Sequence, residues 1–309
     1  MKILITGVHG FVGSNLVKAL SKEHTIYGLD IISPMKDGVR FTFSWDFLDK
    51  PDEIPEVDAI IHLAGKAHDT KNKTVSDVYF KVNTSLTQKI YDYFLKSKAK
   101  KFIFFSTAKA AADKVDGVLT EDVVPSPVGP YGESKIAAEK YIQEHLVADK
   151  QVYILRPCMI HGPGNKGNLN LLYGVVKKGI PWPLGAFENR RTFTSIGNLC
   201  FVINGLLTKD VPTGIYNMGD DEALSTNELI EEICKSLGKK AHIWKLPKGL
   251  MNSVAKVGGA LHLPLDSERL RKLTENYISS NAKIKKALGV EKMPVDAREG
   301  LKVTLESFR

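Results

Sequence analysis

The sequence predicts an α/β protein: a Rossmann-like doubly wound parallel sheet with a smaller, interleaved C-terminal substrate unit. Three observations carry that prediction. Short β-branched and aliphatic runs alternate with longer helical repeats through the first half of the chain, the signature of parallel βαβ units. The runs are apolar almost throughout, as strands buried on both faces must be. The first of them, residues 2–6, stops at a glycine-rich turn that opens a helix.

The elements follow in order. After the first strand, residues 11–22 repeat Phe11, Leu16, Ala19 and Leu20 at helical spacing. Residues 25–29 form the second strand and end at Asp30, and a weaker run over 39–45 reads as another. Residues 58–63 and 101–105 are the next two strands. Between them residues 75–98 read as one long helix with Leu86, Ile90 and Phe94 on one face. Residues 131–150 read as a second, with Ile136, Tyr141, Ile142 and Leu146, and residues 152–155 as a further strand.

After Arg156-Pro157 the rhythm breaks. Residues 162–167 are loop and 170–178 helical, whereas 180–184, with two prolines in five residues, cannot be a central strand. Residues 197–207 read as helix and 214–218 as a return to the sheet. Ser225 followed by Glu228 is a capping box opening a helix to residue 237. The last 70 residues are shorter helices joined by prolines and glycines. No repeat or flexible linker divides the chain. The expected division is therefore a dinucleotide unit of residues 1–160 and 193–238, interleaved with a smaller unit of 161–192 and 239–309.

Composition narrows the class. At 309 residues, 43% hydrophobic and 25% charged, the chain can bury a sizeable core. No apolar run approaches the ~18 residues of a membrane span. The six residues before the glycine turn leave no room for a signal-peptide core. Cys158, Cys200 and Cys234 lie far apart with no C-x-x-C, so neither a disulfide framework nor a metal site is expected, and a cytoplasmic location is. The excess of 43 Lys+Arg over 35 Asp+Glu, net +8, is scattered through helical segments. Its densest patches lack interleaved aromatics and read as solvated helix faces, not as a nucleic-acid surface.

The glycine turn Gly7-Val8-His9-Gly10-Phe11-Val12-Gly13 carries the first chemistry. Its first glycine permits the tight turn and its second lets a pyrophosphate approach the backbone. The third lets helix and strand pack closely, while the helix N-terminus supplies partial positive charge. The spacing G-x-x-G-x-x-G is weak evidence alone. Its context is stronger: it follows the first strand, and Asp30 stands seventeen residues beyond Gly13 at the end of the second. An acid there accepts both hydroxyls of an adenosine ribose and repels a 2′-phosphate, which selects NAD over NADP.

Tyr131-Gly132-Glu133-Ser134-Lys135 places a phenol and an ammonium on one helix face. The ammonium, with a positive nicotinamide, is expected to lower the phenol from its ordinary ~10. Tyr173 and Lys177 have the same spacing, so position must separate the two pairs. Tyr131 follows the strand 101–105, which ends in Ser106-Thr107 at the carboxyl edge of the sheet, where ligands bind in such folds. Tyr173 follows no such strand and reads as a helix-packing residue.

Taken together these residues resemble the extended short-chain dehydrogenases/reductases, the nucleotide-sugar epimerase/dehydratase family, over nearly the whole chain. The resemblance rests on Gly7, Gly10 and Gly13, on Asp30, and on Asp46-Phe47 at the position of the family's adenine-contacting acid. It continues through His62-Leu63-Ala64-Gly65, Asn83, Ser106-Thr107 and Tyr131/Lys135. Arg156-Pro157 with Gly162-Pro163-Gly164, and Arg191 before Phe193, complete it. It implies cofactor contacts from Gly7, Gly10, Phe11, Val12, Gly13, Asp30, Asp46, Phe47, Leu63, Ala64, Gly65, Asn83, Tyr131, Lys135 and Pro157. It also implies a homodimer joined through the helices 75–98 and 131–150.

Two departures matter. The family's 4,6-dehydratases carry an Asp-Glu pair directly after the threonine; here Ala108 and Lys109 stand there, which disfavours dehydration. His161 replaces the usual tyrosine of the Tyr-Gly-Pro-Gly turn and reads as a packing or capping residue. Locally, Ser106-x-x-Lys109, the run from His62 to His68, and Pro183 through Arg191 are similar to a subgroup making bacterial surface sugars, which includes 4-keto reductases and UDP-glucose 4-epimerases.

The implied reaction is redox at C4 of a nucleotide-linked hexose. Tyr131 moves the C4 hydroxyl proton, Lys135 supports it and holds the nicotinamide ribose, and Thr107 places the reacting oxygen. Lys166, Asn168, Arg190 and Arg191 are the expected contacts to the diphosphate and uridine, Arg191 first because a planar fork suits phosphate. A UDP-sugar 4-epimerase that retains NAD and a 4-keto reductase that consumes NADH both stand. A cofactor-sensing or RNA-binding relative would be expected to lose Tyr131 or Lys135, and both are present.

Overall fold

The computed structural model describes residues 1–32, 34–50, 53–66, 75–260 and 265–309. His68 of the subgroup comparison lies outside them. The strands are β1 (Lys2–Thr6), β2 (Thr25–Leu29), β3 (Phe41–Phe43), β4 (Ala59–His62), β5 (Lys101–Phe105), β6 (Val118–Leu119), β7 (Gln151–Pro157), β8 (Met159–His161), β9 (Phe193–Ser195), β10 (Gly214–Met218) and β11 (Ile278–Ser279). The helices used below are α1 (Phe11–Leu20), α2 (Ser76–Tyr79), α3 (Leu86–Lys96), α4 (Ala108–Ala111), α5 (Pro130–Glu144), α6 (Asn168–Lys177), α7 (Ile196–Thr208), α8 (Thr226–Ser236), α9 (Lys248–Ala260), α10 (Ser267–Thr274), α11 (Ala282–Leu288) and α12 (Ala297–Glu306).

Seven strands form one sheet in the order β10-β7-β5-β4-β1-β2-β3, every pair parallel. The strand order reverses at β1, between β4 and β2, so the crevice for a ligand opens at the carboxyl ends of β1 and β4. Alternation along each strand builds two cores. Ile3, Ile5, Ile103 and Leu155 face α1, α7 and α11, while Leu4, Phe102, Phe104 and Ile154 face α3 and α5. The sequence-read strands 2–6, 25–29, 101–105 and 214–218 are recovered as elements, the last at the sheet edge.

Both long helices differ from their expected form. The segment 75–98 is interrupted by a π-helical turn, Phe80–Ser85, between α2 and α3. Its extra residue turns Asn83 fully into the interior, where its amide bonds Lys66 and Ser134, and the Thr87 hydroxyl donates back to the Asn83 carbonyl at 2.7 Å. The second helix stops at Glu144, six residues early. His145 leaves helical geometry and its Nδ1 bonds the Tyr141 carbonyl at 2.8 Å, so Leu146 and Val147 lie beyond the helix and exposed.

The smaller unit has its own core, in which α6, α8, α9, α10 and α12 contribute Tyr173, Ile230, Met251, Leu270 and Leu301. The capping box opens α8 as expected, Ser225 and Glu228 exchanging backbone bonds. The packing departs from the expected division in two places. Helix α8 packs with the smaller unit, and α11 packs, through Ile284 and Leu288, against α7 and β10. The chain thus returns to the sheet twice after β7, which a linear reading of boundaries could not show. No helix among the described residues is long and apolar enough to cross a membrane.

Candidate active site

The glycine turn sits at the reversal of strand order. Gly7 adopts φ +71°, and a Cβ there would lie 3.0 Å from the Ala64 nitrogen, so the two turns touch across the crevice. A Cβ on Gly13 would lie 2.4 Å from the Gly7 carbonyl oxygen, which only glycine allows. Phe11 and Val12 begin α1 directly above. The Asn15 amide bonds the Pro163 carbonyl at 3.0 Å, which seats the Gly162-Pro163-Gly164 turn over this helix start. His9 Nε2 is buried with no hydrogen-bond partner among the described residues, in the turn where a phosphate would lie.

Asp30 is buried at the end of β2. One carboxylate oxygen accepts the His9 N–H at 2.9 Å and the other the Ile31 N–H at 2.7 Å. Each oxygen keeps a lone pair for a ribose hydroxyl. Asp46 is exposed in a 3-10 turn after β3, and Phe47 stacks edge-on against Phe43 at 4.9 Å. Leu63, Ala64 and Gly65 follow β4, and Pro157 closes β7. The expected cofactor residues on the turns thus gather along one edge of the sheet, with Asn83 reaching them from the π-helical turn. A Cβ on Gly65 would meet Asn83 Oδ1 at 3.0 Å and Lys135 Nζ at 3.1 Å, so this stretch leaves a cradle beside the lysine. These residues fit a dinucleotide.

The reactive cluster stands at the carboxyl end of β5. Thr107 caps α4, its oxygen accepting the Lys109 N–H, and its hydroxyl hydrogen-bonds the Tyr131 phenol. Lys135 is buried; its ammonium donates to the Phe105 carbonyl at 2.8 Å and lies 5.0 Å over the Phe104 ring. Burial pulls Lys135 down to about 8, against a smaller upward pull from Glu139. The Tyr131 phenol is raised above its ordinary value by burial, against which the Thr107 bond works. The expected lowering by Lys135 is not found among the groups that shift it. Tyr173, the other tyrosine of that spacing, is a buried packing residue against Phe308 at 5.4 Å.

The structure also brings residues that spacing did not single out. His62 is fully buried between the Thr6 and Thr87 hydroxyls, at 2.7 and 2.9 Å, and burial drives its imidazole down to about 3, so it stays neutral. Glu139, fully buried one turn after Lys135, accepts bonds from Ser106 and Arg156. The sequence held one signal for it: Tyr131, Lys135 and Glu139 recur every four residues on one helix face.

The expected substrate contacts divide. Arg191 is partly buried at a bridge between Leu224 and Tyr277; its guanidinium bonds the Lys272 carbonyl and feels the Arg271 charge. Arg271 in turn meets Asp113 at 3.3 Å. Arg271 also meets Glu275 at 3.1 Å, so its charge is already paired, and nothing in the local sequence marked it. Arg190 is the correction. Extended backbone turns it to the opposite side from Arg191, where it pairs with Glu228 at 2.9 Å on α8. Lys166 and Asn168 are exposed where the 162–167 loop enters α6. His161 is a packing residue, buried with Nδ1 2.9 Å from the Thr304 hydroxyl.

Comparison with known proteins gives the family and the fold. UDP-glucose 4-epimerase of Vibrio cholerae is 32% identical over 99% of this chain and 95% of its own length. An Escherichia coli O157:H7 relative, N-acetyl-alpha-D-glucosaminyl-diphospho-ditrans,octacis-undecaprenol 4-epimerase, is 28% identical over 92% of this chain and 84% of its own. The fold matches the solved UDP-glucuronic acid 4-epimerase of Bacillus cereus in complex with NAD at TM-score 0.77, over 100% of this chain and 98% of that one, with 23% identity. The sequence profile of one family matches residues 3–219, and the chain belongs to it: the NAD dependent epimerase/dehydratase family.

Proposed function

We propose that this enzyme oxidises and reduces C4 of a nucleotide-linked hexose, as a cytoplasmic UDP-sugar 4-epimerase making precursors of cell-surface polysaccharide. The observation that carries the reading is the cluster of Thr107, Tyr131 and Lys135 beside the Gly65–Asn83 cradle. NAD, when bound, would supply the hydride acceptor and donor for C4. Gly7, Gly10 and Gly13 would hold its pyrophosphate, Asp30 its adenosine ribose, and Lys135 with Asn83 the ribose of its nicotinamide.

The chain's own residues do the rest. The Tyr131 oxygen takes the proton of the C4 hydroxyl and returns it, and the Thr107 hydroxyl, already bonded to that phenol, orients the reacting oxygen. Burial raises the phenol and the Thr107 bond lowers it; the positive charge of a bound nicotinamide would lower it further, and the deprotonated oxygen would then accept the C4 proton. Arg191 draws in the diphosphate. Ala108 and Lys109 after Thr107 supply no Asp-Glu pair, which argues against dehydration.

The name and near full-length match of the Vibrio cholerae relative favour an epimerase over a 4-keto reductase. The test is to incubate purified protein, with no added cofactor, with UDP-glucose and with UDP-GlcNAc. Appearance of the C4 epimer is expected. Turnover only of a 4-keto sugar, with one NADH consumed per product, overturns the epimerase reading in favour of the reductase. No redox chemistry on any UDP-sugar overturns both.

A further inference from the structure

We propose that Glu139 is a positioning residue of this active site: its carboxylate clips Ser106, and with it Thr107, to the helix carrying Tyr131 and Lys135, and supplies the negative charge against which Lys135 is held. This rests on the roles given above to Thr107, Tyr131 and Lys135.

Glu139 is fully buried on α5 and Arg156 is 1% exposed on β7. The carboxylate accepts Arg156 Nε at 3.0 and 3.1 Å, Arg156 Nη2 at 2.6 Å and the Ser106 hydroxyl. One side chain thereby joins three elements, β5, β7 and α5, directly beneath the reactive cluster. A buried ion pair is a poor device for stability alone, because desolvating two charges offsets most of their attraction. Among the described residues this one also leaves Arg156 Nη1 without a partner. Its placement suits a different use.

Ser106 and Thr107 are consecutive, and the backbone at Thr107 is extended, so their side chains diverge. Ser106 turns down to Glu139 and Thr107 turns up to the phenol. The backbone at Ser106 is also tied, its N–H bonding the Leu155 carbonyl at 2.8 Å. Fixing Ser106 at both points leaves Thr107 little freedom, so its distance to Tyr131 is set from below.

The second effect is electrostatic. The groups facing Lys135 are Tyr131 and Glu139 on its own helix, Asn83 from the π-helical turn, His62 from β4, and the Phe105 carbonyl and Phe104 ring from β5. Of these His62 is neutral and Tyr131 protonated, which leaves Glu139 as the one anion among the described residues. Burial has already brought Lys135 down to about 8, and Glu139 opposes a further fall. Loss of that charge lowers Lys135 again, so at neutral pH the site would lose the cation it works with.

The experiment uses the full chain with 13Cε-labelled lysine, the Lys135 resonance being identified by its loss in Lys135→Met. The wild type is expected to titrate near 8, and Glu139→Gln about one unit or more lower, with Glu139→Asp restoring most of the difference. An unmoved titration in a folded Glu139→Gln protein overturns the electrostatic role. Where that variant does not fold because Arg156 is stranded, Glu139→Gln/Arg156→Gln takes its place with the same two outcomes. Ser106→Ala tests the clip without stranding a charge: kcat is expected to fall roughly tenfold at unchanged KM and unchanged melting temperature, and an unchanged kcat overturns it. A wild type inactive on every UDP-sugar sinks the substrate reading, while the NMR arm still decides for or against Glu139.

Discussion

Among single residues, Tyr131 and Asp30 carry the sharpest consequences. Tyr131→Phe removes the hydroxyl placed against Thr107 and leaves the packing against Tyr79, whose ring is 6.1 Å away. Turnover should fall by roughly a hundredfold or more, the usual worth of a proton carrier, while NAD binding by calorimetry stays unchanged. Turnover equal to the wild type's would remove the phenol from the mechanism. Asp30 does two things in the structure, since it anchors the His9 N–H of the glycine turn and presents lone pairs to a ribose. NAD should therefore bind more tightly than NADP, and Asp30→Ala should weaken NAD and narrow the difference. A wild type that binds NADP more tightly would contradict the assignment. Position in the chain, and not spacing, pointed to Tyr131, Lys135 and Asp30: Tyr173 and Lys177 share the spacing, and only their place outside the βαβ pattern set them aside. Arg190 misled because the sequence shows two adjacent guanidiniums and not the extended backbone that sends them to opposite sides.

At the scale of elements, the contact between α4 and α5 decides the geometry of the site. Gly132 lies beside Tyr131, and a Cβ there would come within 2.8 Å of the Lys109 carbonyl and 3.0 Å of Pro127. Gly132→Ala should push α5 away from α4 and open the Thr107–Tyr131 bond. The expected result is a fall in kcat with cofactor affinity retained, read by steady-state kinetics beside NAD titration; an unaltered kcat would show that the helices can give way without consequence. The strands and α1 were legible because apolar alternation between glycine turns has few other solutions. The π-helical turn was not. It is imposed by Asn83 bonding Lys66 and Ser134, contacts 17 and 51 residues apart in the chain, and no local pattern encodes them. The early end of α5 likewise depends on one histidine bonding back to Tyr141, and the smaller unit's claim on α8 depends on partners in α6 and α12.

For the whole molecule, the open question is what covers the outer faces of α3 and α5, and a second copy of the chain is the expected answer. Their inner faces fill the core against β4, β5 and β7 through Ile90, Phe94, Ala138 and Ile142. Leu86, Tyr93, Leu95 and Tyr141 are only partly buried beside that core, and Val78 and Phe80 just before α3 are 38% and 36% exposed. Cover by the chain's own C-terminal segment is the competing explanation. Among the described residues that core takes nothing beyond Ile215, since α11 packs on the opposite face of the sheet and α12 in the smaller unit. A dimer through α3 and α5 would bury the remaining apolar surface in a two-fold helix bundle. The Tyr141–Asp92 bond at 2.6 Å already locks the two helices side by side within one chain, so the face they present is rigid. Light scattering at micromolar concentration should give twice the mass of the 309-residue chain, and Leu95→Glu should shift it toward one. A wild-type protein that stays at the mass of a single chain as it is concentrated would refute the dimer.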